Sequence, residues 1–459
     1  MLIYLLRRLL LMIPTLFGIT LVVFTIMALS PGGLTGAALV GGADLKPEQK
    51  QARIDYYNER YGLDDPAPLQ YLRWLNNVSP IGFEFDENRE IKGFSFTKGS
   101  DLGESIFFGQ SVLAIIKERL PITLLLNVIT IPLIYFIAIV VGMNAARDRG
   151  GRFDVSSNII MLALWSLPSM LVGVLLIGFF ASIQHWQWFP TSGLSSSEAY
   201  QMPFLPHWSS VSDILKLFVL SLLSVMGGIM LGRLQSKSLR TGIASLFGLL
   251  AGALMASVHP ESLWINWIIW PLLLAALMVL VSRSDSDIFR TIIFSALSLV
   301  FAIIFAMQML DGQFISGFLA DRIWHLILPT IVLSYAGFAS LAKIMRTSIL
   351  ENLNADYART ARAKGVAEED VLWQHVFRNS LLPLITILAG ILPSLLAGSV
   401  IVEQIFSIDG MGKLVIEAVQ ARDRELVLSI TLISGILTLI GYLISDILYT
   451  LVDPRVQYD

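Results

Sequence analysis

Three groups of residues invite a chemical reading. The first is Gly410-Met411-Gly412-Lys413, which has the look of a phosphate-binding loop. It lacks the first Gly at the required spacing, and Leu414 stands where a Ser or Thr would hold magnesium, so it reads as a tight external turn. The second is the set of five histidines, His185, His207, His259, His325 and His375. They are far apart and form no His-x-x-x-His pair, so a local metal site has no support. The chain has no cysteine, which excludes disulfides and thiolate metal sites. No catalytic Ser/His/Asp set can be argued from scattered residues. The third group is 356–383, DYARTARAKGVAEEDVLWQHVFRNSLLP, a charged stretch between two long apolar runs. Its chemistry is recognition rather than bond making. Arg359, Arg362 and Lys364 offer cations to acidic groups on a partner, and Ala361, Ala363 and Gly365 let another surface come close. A short helix before Gly365 would place Tyr357, Ala361 and Lys364 on neighbouring faces. Glu368, Glu369 and Asp370 suit the start of a second helix, whose apolar side would be Val366, Val371, Leu372, Val376 and Phe377. From composition alone, an ordinary basic loop with a surface helix fits equally well.

These groups must be positioned by elements of a particular kind. The 459 residues are 55% hydrophobic and only 15% charged, against about 25% charged in soluble domains. Mean hydropathy is +0.70. The chain is therefore an all-α polytopic membrane protein. A net charge of -3 argues against a nucleic-acid partner. Ten apolar runs are candidate spans: 9–29, 122–145, 158–181, 214–232, 242–258, 263–281, 291–309, 325–345, 384–402 and 426–448. The first is longer than the apolar region of a cleaved signal and reads as an uncleaved span.

Basic residues orient the runs. Arg7 and Arg8, then Arg147, Arg149 and Arg152, then Arg233, Lys237 and Arg240, then Arg283 and Arg290, and finally the 346–383 loop all fall on the cytoplasmic side. Both termini are then cytoplasmic. Residues 103–120 read as an amphipathic helix on the outer membrane surface, and the Trp-rich stretch at 185–210 as an interfacial belt. Gly228-x-x-x-Gly232 and Gly248-x-x-x-Gly252 suit close helix packing, although Gly is common in membrane helices generally. No repeat of 20–50 residues is apparent. Asp446 is read as an interfacial cap or partner of Arg455 in preference to a proton relay, and Glu403 is expected to face outside. Pro132, Pro168, Pro271, Pro393, Gly390 and Gly398 mark kinks or packing sites.

The order Asp356-Tyr357-Ala358-Arg359-Thr360-Ala361-Arg362-Ala363-Lys364-Gly365, then His375-Val376-Phe377-Arg378-Asn379-Ser380-Leu381-Leu382-Pro383, carries a resemblance. So do Tyr4-Leu5-Leu6-Arg7-Arg8 with Ser30-Pro31-Gly32-Gly33, Asp101-Leu102-Gly103-Glu104-Ser105, Gly151-Arg152-Phe153-Asp154, Gly410-x-Gly412, Arg422-Asp423 and Asp453-Pro454-Arg455. The chain resembles ABC-importer permeases of the oligopeptide/dipeptide/nickel family over roughly 1–205 and 321–455. The resemblance implies a six-span type I importer core, with about four inserted transmembrane helices at 210–320. It lays the chain out as a first span (1–29), an extracytoplasmic loop and surface helix (30–120), core spans two and three (121–209), the inserted block (210–320), and core spans four to six with the coupling loop 346–383 (321–455). It implies that Tyr357, Arg359, Ala361, Arg362, Ala363, Lys364, Gly365 and Glu368 couple the chain to ATPases. It implies a second homologous permease, two ABC ATPase subunits or domains, an extracytoplasmic solute-binding protein, surrounding lipid, and a bacterial inner membrane. ATP and magnesium would sit on the partners, with no cofactor on this chain and no catalysis by it. Substrate contacts are not assigned. An ion- or proton-coupled secondary transporter is the alternative, disfavoured because the spans hold almost no central charge.

Overall fold

The computed structural model describes residues 2–30, 47–85, 91–208, 210–257, 264–284, 286–309 and 314–452. Pro31, Gly32, Gly33 and Asp453-Pro454-Arg455 lie outside the described residues. Helices lie under all ten apolar runs. In lipid a helix satisfies every backbone polar group within the segment, which selects it over any open strand. Seven of the described helices are long and apolar enough to cross a membrane, or eight if one pair bent by 95° counts as a span. The chain divides into two compact units, Met1–Ile131 with Leu381–Asp459, and Pro132–Ser380.

The first unit holds α1 (Leu2–Leu29), α2 (Pro47–Tyr61), α3 (Ala67–Val78), a hairpin of β1 (Gly82–Phe85) and β2 (Ile91–Ser95), and the start of α4 (Val112–Arg147). It also holds three late helices, α13 (Leu382–Ile405), α14 (Met411–Gln420) and α15 (Arg424–Val452). Tyr71 fastens α3 to α1, with its hydroxyl 2.9 Å from Thr20 Oγ1. The amphipathic surface helix expected over 103–120 is not a separate element. Residues 103–111 form turns and a single bridge, and α4 begins at Val112 and runs on for 36 residues, about 54 Å. Its apolar side faces protein rather than a membrane surface: Val112, Ile115 and Ile116 pack with Leu102, Leu414 and Leu426. Asp446 pairs with Arg8, Nε to Oδ2 2.8 Å, while Arg455 lies outside the described residues. Gly390, Pro393 and Gly398 fall outside the residues whose side chains are described.

In the second unit the run at 158–181 is not straight. It is α5 (Arg152–Ser166) followed by α6 (Ser169–Leu176) and a π-turn, Ile177–Ala181, with the 95° bend at Leu167-Pro168. A residue before proline is pushed out of the helical region, and Leu167 has ψ 130°. The Tyr335 hydroxyl donates to the Leu167 carbonyl at 2.6 Å. Trp186 and Trp188 stack on each other, and each packs against Trp270 at 4.7 Å.

Four helices then form a block: α7 (Val211–Arg233), α8 (Lys237–Ser257), α9 (Asn266–Ser282) and α10 (Asp287–Gln308). α7 lies along α10, and α8 along α9. Both Gly-x-x-x-Gly spacings are the contact faces. A Cβ on Gly228 or Gly232 would stand 2.6 or 2.5 Å from the Cα of Ser295 or Thr291. On Gly248 or Gly252 it would stand 2.6 or 2.3 Å from the Cα of Ala275 or Pro271. Arg240 and Arg290, expected as loop charges, are buried and cap helix ends. Arg240 donates to the carbonyls of Leu234 (2.6 Å) and Ser282 (2.8 Å). Arg290 donates to those of Ser284 (2.5 Å) and Gly232 (3.2 Å). Ser236 Oγ accepts from Leu239 N, as Ser286 Oγ does from Phe289 N. Each pair of matching positions is 50 residues apart, so the turn that joins α7 to α8 recurs between α9 and α10. The sequence hides this repeat because identities are few: Arg233/Arg283, Ser236/Ser286, Arg240/Arg290 and Thr241/Thr291 are among them.

The chain enters and leaves the block at one place. β3 (His207–Trp208) and β4 (Phe314–Ile315) pair antiparallel, and Phe318 N donates to Pro203 O at 2.9 Å. α11 (Gly317–Leu353) follows.

Candidate functional site

The charged stretch between α11 and α13 folds as two short helices joined by a turn. α12 (Asp356–Ala363) carries Asp356 in its first turn and Arg362 in its last, as the helix dipole favours. It ends in a Schellman turn: Gly365 N donates to Arg362 O (2.9 Å) and Val366 N to Ala361 O (3.3 Å). Gly365 has φ +80°, and a Cβ there would meet nothing within 4 Å. Backbone geometry, not crowding, therefore demands glycine here. The second helix covers 368–380, and its middle, Val371–Val376, is a π-helix. The wider π-turn brings Val371, Leu372 and Val376 onto one buried face.

The eight residues expected to couple divide into two sets. Ala361 is only 7% exposed, so its small size lets α12 approach the second loop helix rather than an outside surface. Arg362 and Glu368 brace the turn: the guanidinium donates to the carboxylate at 2.9–3.2 Å and to the Leu353 carbonyl at 2.9 Å. Hydrogen bonds from Arg362 hold the Glu368 carboxyl below its ordinary range. Tyr357, Arg359, Ala363, Lys364 and Gly365 face outward. The Tyr357 hydroxyl donates to Asn352 Oδ1 at 2.5 Å, and Asn352 Nδ2 donates to Ser380 Oγ at 3.1 Å, which ties both loop helices to the end of α11. Sequence reasoning missed Trp373. It is 44% exposed, with its ring 5.2 Å from Phe377, because the π-turn rotates it away from Leu372. Its signal was an indole in an otherwise charged stretch.

Two links join the loop and the end of α11 to other helices of the same unit. Arg147 Nη2, at the end of α4, donates to Glu369 Oε1 at 2.8 Å. On α11, two turns before the loop, Arg346 grips Asp154 of α5 with Nε–Oδ1 2.5 Å and Nη2–Oδ2 2.6 Å. Asp154 is 4% exposed and also accepts from Gly150 N at 2.9 Å. Neither residue was singled out as a pair in advance; they are 192 apart in sequence.

The glycine turn at 410–412 is an anion site filled by the chain itself. Glu403 is fully buried and receives Thr123 Oγ1 (2.8 Å) and Lys413 N (2.9 Å), with Ser399 and Gly412 N also donating. Lys413 N lies in the first turn of α14, so the carboxylate occupies the place a phosphate would take at a helix N-terminus. A Cβ on Gly410 would stand 2.5 Å from Glu403 Cδ, which explains that glycine. Glu403 thus points into the protein. Asp409 beside it is partly buried, which raises a carboxyl, but the Lys413 hydrogen bond and the Arg119 charge prevail and lower it. Asp423, also fully buried, accepts from Ser105 Oγ (2.6 Å), Phe107 N (3.0 Å) and Leu426 N (3.1 Å). Fragments far apart in sequence, 101–105 and 422–423, are thereby one structure.

Long apolar helices place the chain in a membrane, and a braced polar loop with an outward face gives it a surface to present beside that membrane. Residues 138–458 match the family described as binding-protein-dependent transport system inner membrane component, and residues 1–127 match the N-terminal component family of the same systems. The chain belongs to this family of ABC-importer permeases and is a multi-pass inner membrane protein. It is 29% identical over 456 residues to the oligopeptide transport system permease protein AppB of Bacillus subtilis, covering 99% of each chain. It is 25% identical over 489 residues to the inner membrane ABC transporter permease protein YejB of Escherichia coli O157:H7, again covering 99% of each. It is 26% identical over 474 residues to the peptidoglycan transport system permease protein YejB of Agrobacterium fabrum, covering 99% of this chain and 98% of that one.

Proposed function

We propose that this chain forms half of the membrane passage of an ATP-driven importer for peptides or peptide-like solutes, and that residues 356–380 receive the movement of a separate ATPase. The observation that carries the reading is the end-to-end match to permeases named for oligopeptide and peptide transport. The loop supports it. Arg359 and Lys364 stand outward on a helix whose other side is fixed by Ala361, Arg362 and Glu368. A surface so braced transmits force instead of yielding to it.

In this reading Tyr357, Arg359, Ala363, Lys364 and Gly365 touch the ATPase, while Ala361, Arg362 and Glu368 hold the surface in shape. Trp373 adds an exposed aromatic anchor of the kind enriched at interface centres. A second permease completes the passage, two ATPase subunits or domains hold ATP and magnesium, and a solute-binding protein delivers cargo from outside. The chain itself catalyses nothing, and both its termini and the loop are cytoplasmic. The block of 210–320 reads as an insert in a six-span core, supported by the pairing of β3 with β4 where the chain enters and leaves it, and the relatives matched end to end align across it.

Affinity purification of the full chain from its native membrane, with mass spectrometry of what accompanies it, tests this. A second permease and ATPase chains in near-equal amounts are expected. A chain that arrives alone in mild detergent at good yield would bring the secondary-transporter reading forward.

A further inference from the structure

We propose that α11 is a rod that carries displacement of the loop to the bent pair α5–α6, and that Arg346, Asp154 and Tyr335 are the positioning residues that clamp the two together. The inference deepens the coupling reading and rests on it.

Three observations converge. α11 ends at Leu353, only three residues before α12, and Arg362 and Tyr357 bind its last turn, so loop and rod move together. Asp154, at the start of α5, has both carboxylate oxygens held by the Arg346 fork at 2.5 and 2.6 Å. A forked pair fixes direction as well as distance. Tyr335, buried on the same rod, donates at 2.6 Å to the Leu167 carbonyl at the far end of α5, where the break has freed it. The two clamps are about 16 Å apart along α11. One attachment would leave a pivot, whereas two make α5 follow the rod. Pro329, the proline inside α11, lies before both clamps, so the clamped stretch has no proline hinge.

The test uses the assembled complex in proteoliposomes. The chain lacks cysteine, so Lys343→Cys on α11 and Ile159→Cys on α5, both exposed, take a spin-label pair without background from this chain, and any cysteines of the partner chains are replaced. Their distance is measured by electron paramagnetic resonance at rest and with Mg-ATP and vanadate. The expected result is one unchanged distance in both states. In Arg346→Leu and in Tyr335→Phe the distance should broaden or shift on trapping. Solute moved per ATP hydrolysed should then fall about tenfold, while hydrolysis continues. Tyr335→Phe keeps the ring, so it carries the test if Arg346→Leu does not assemble. A native distance that changes on trapping, or variants with native uptake per ATP, overturns the clamp. Absence of any ATPase in the complex overturns instead the importer reading beneath it.

Discussion

The loop of 356–380 and the turns of 403–426 are both charged islands in an apolar chain, and they use charge in opposite ways. In the loop the ion pairs lie at the surface: Glu368 and Arg359 are 67% and 69% exposed. In the turns Glu403 and Asp423 are wholly enclosed, and their oxygens are filled by backbone N–H groups and hydroxyls of the same chain. An enclosed carboxylate with a full set of donors stabilises its own backbone and has nothing left to offer a partner. An exposed pair contributes little to stability, about 0–1 kcal/mol, but leaves neighbouring charges available for recognition. The difference separates what holds this protein together from what it presents.

Three sites sharpen that contrast. The largest effect is expected from Glu403→Ala, which strands the Lys413 and Gly412 N–H groups and the Thr123 hydroxyl. A loss of about 3 kcal/mol or more should appear as a lower thermal midpoint and poor yield in detergent. Native stability of that variant would break the assignment of Glu403 as a structural anchor.

Next is Gly365. Asp and Asn both tolerate a left-handed conformation better than other side chains, and both should cost about 1 kcal/mol. The space around Gly365 is open, so folding should survive in each. Gly365→Asp should then abolish ATP-driven uptake by placing negative charge on the docking surface, while Gly365→Asn retains part of it. Equal uptake in the two would show that surface charge at this position is not what the partner reads.

The smallest effect is that of pH on the Arg362–Glu368 brace. The Glu368 carboxyl is lowered in the folded loop from an ordinary 4.5. Its contribution is therefore complete above that value and is lost only as pH falls through the lowered one. Amide exchange at 362–368, corrected for intrinsic rate, should be flat above about pH 5 and rise only in stronger acid. A rise near neutral pH would show that some other group secures the turn.

Much of this was legible in advance because lipid leaves few options. Apolar runs of the right length must be helices, and Gly365, Glu368 and the cations of the loop announced two short helices and a turn. Other features were not legible for reasons of distance or degeneracy. The Arg346–Asp154 fork and the Asp423–Ser105 bond join residues 192 and 318 apart. The repeated turn keeps its hydrogen bonds while most side chains in the flanking helices differ, since lipid-facing positions accept any apolar residue. The helix assigned to 103–120 failed because an amphipathic pattern reports an apolar face without naming what covers it.

The sequence by itself determined a helical membrane protein, its family, and the location of the polar loop at 356–383, because hydropathy and local spacing act over a few residues at a time. Only the tertiary structure decided which charges are buried and which are offered. It filled the glycine turn with Glu403, turned Ala361 inward and Trp373 outward, and bent the chain at Pro168 with Tyr335 closing the gap. Burial depends on what other segments supply, and no stretch of sequence states that on its own.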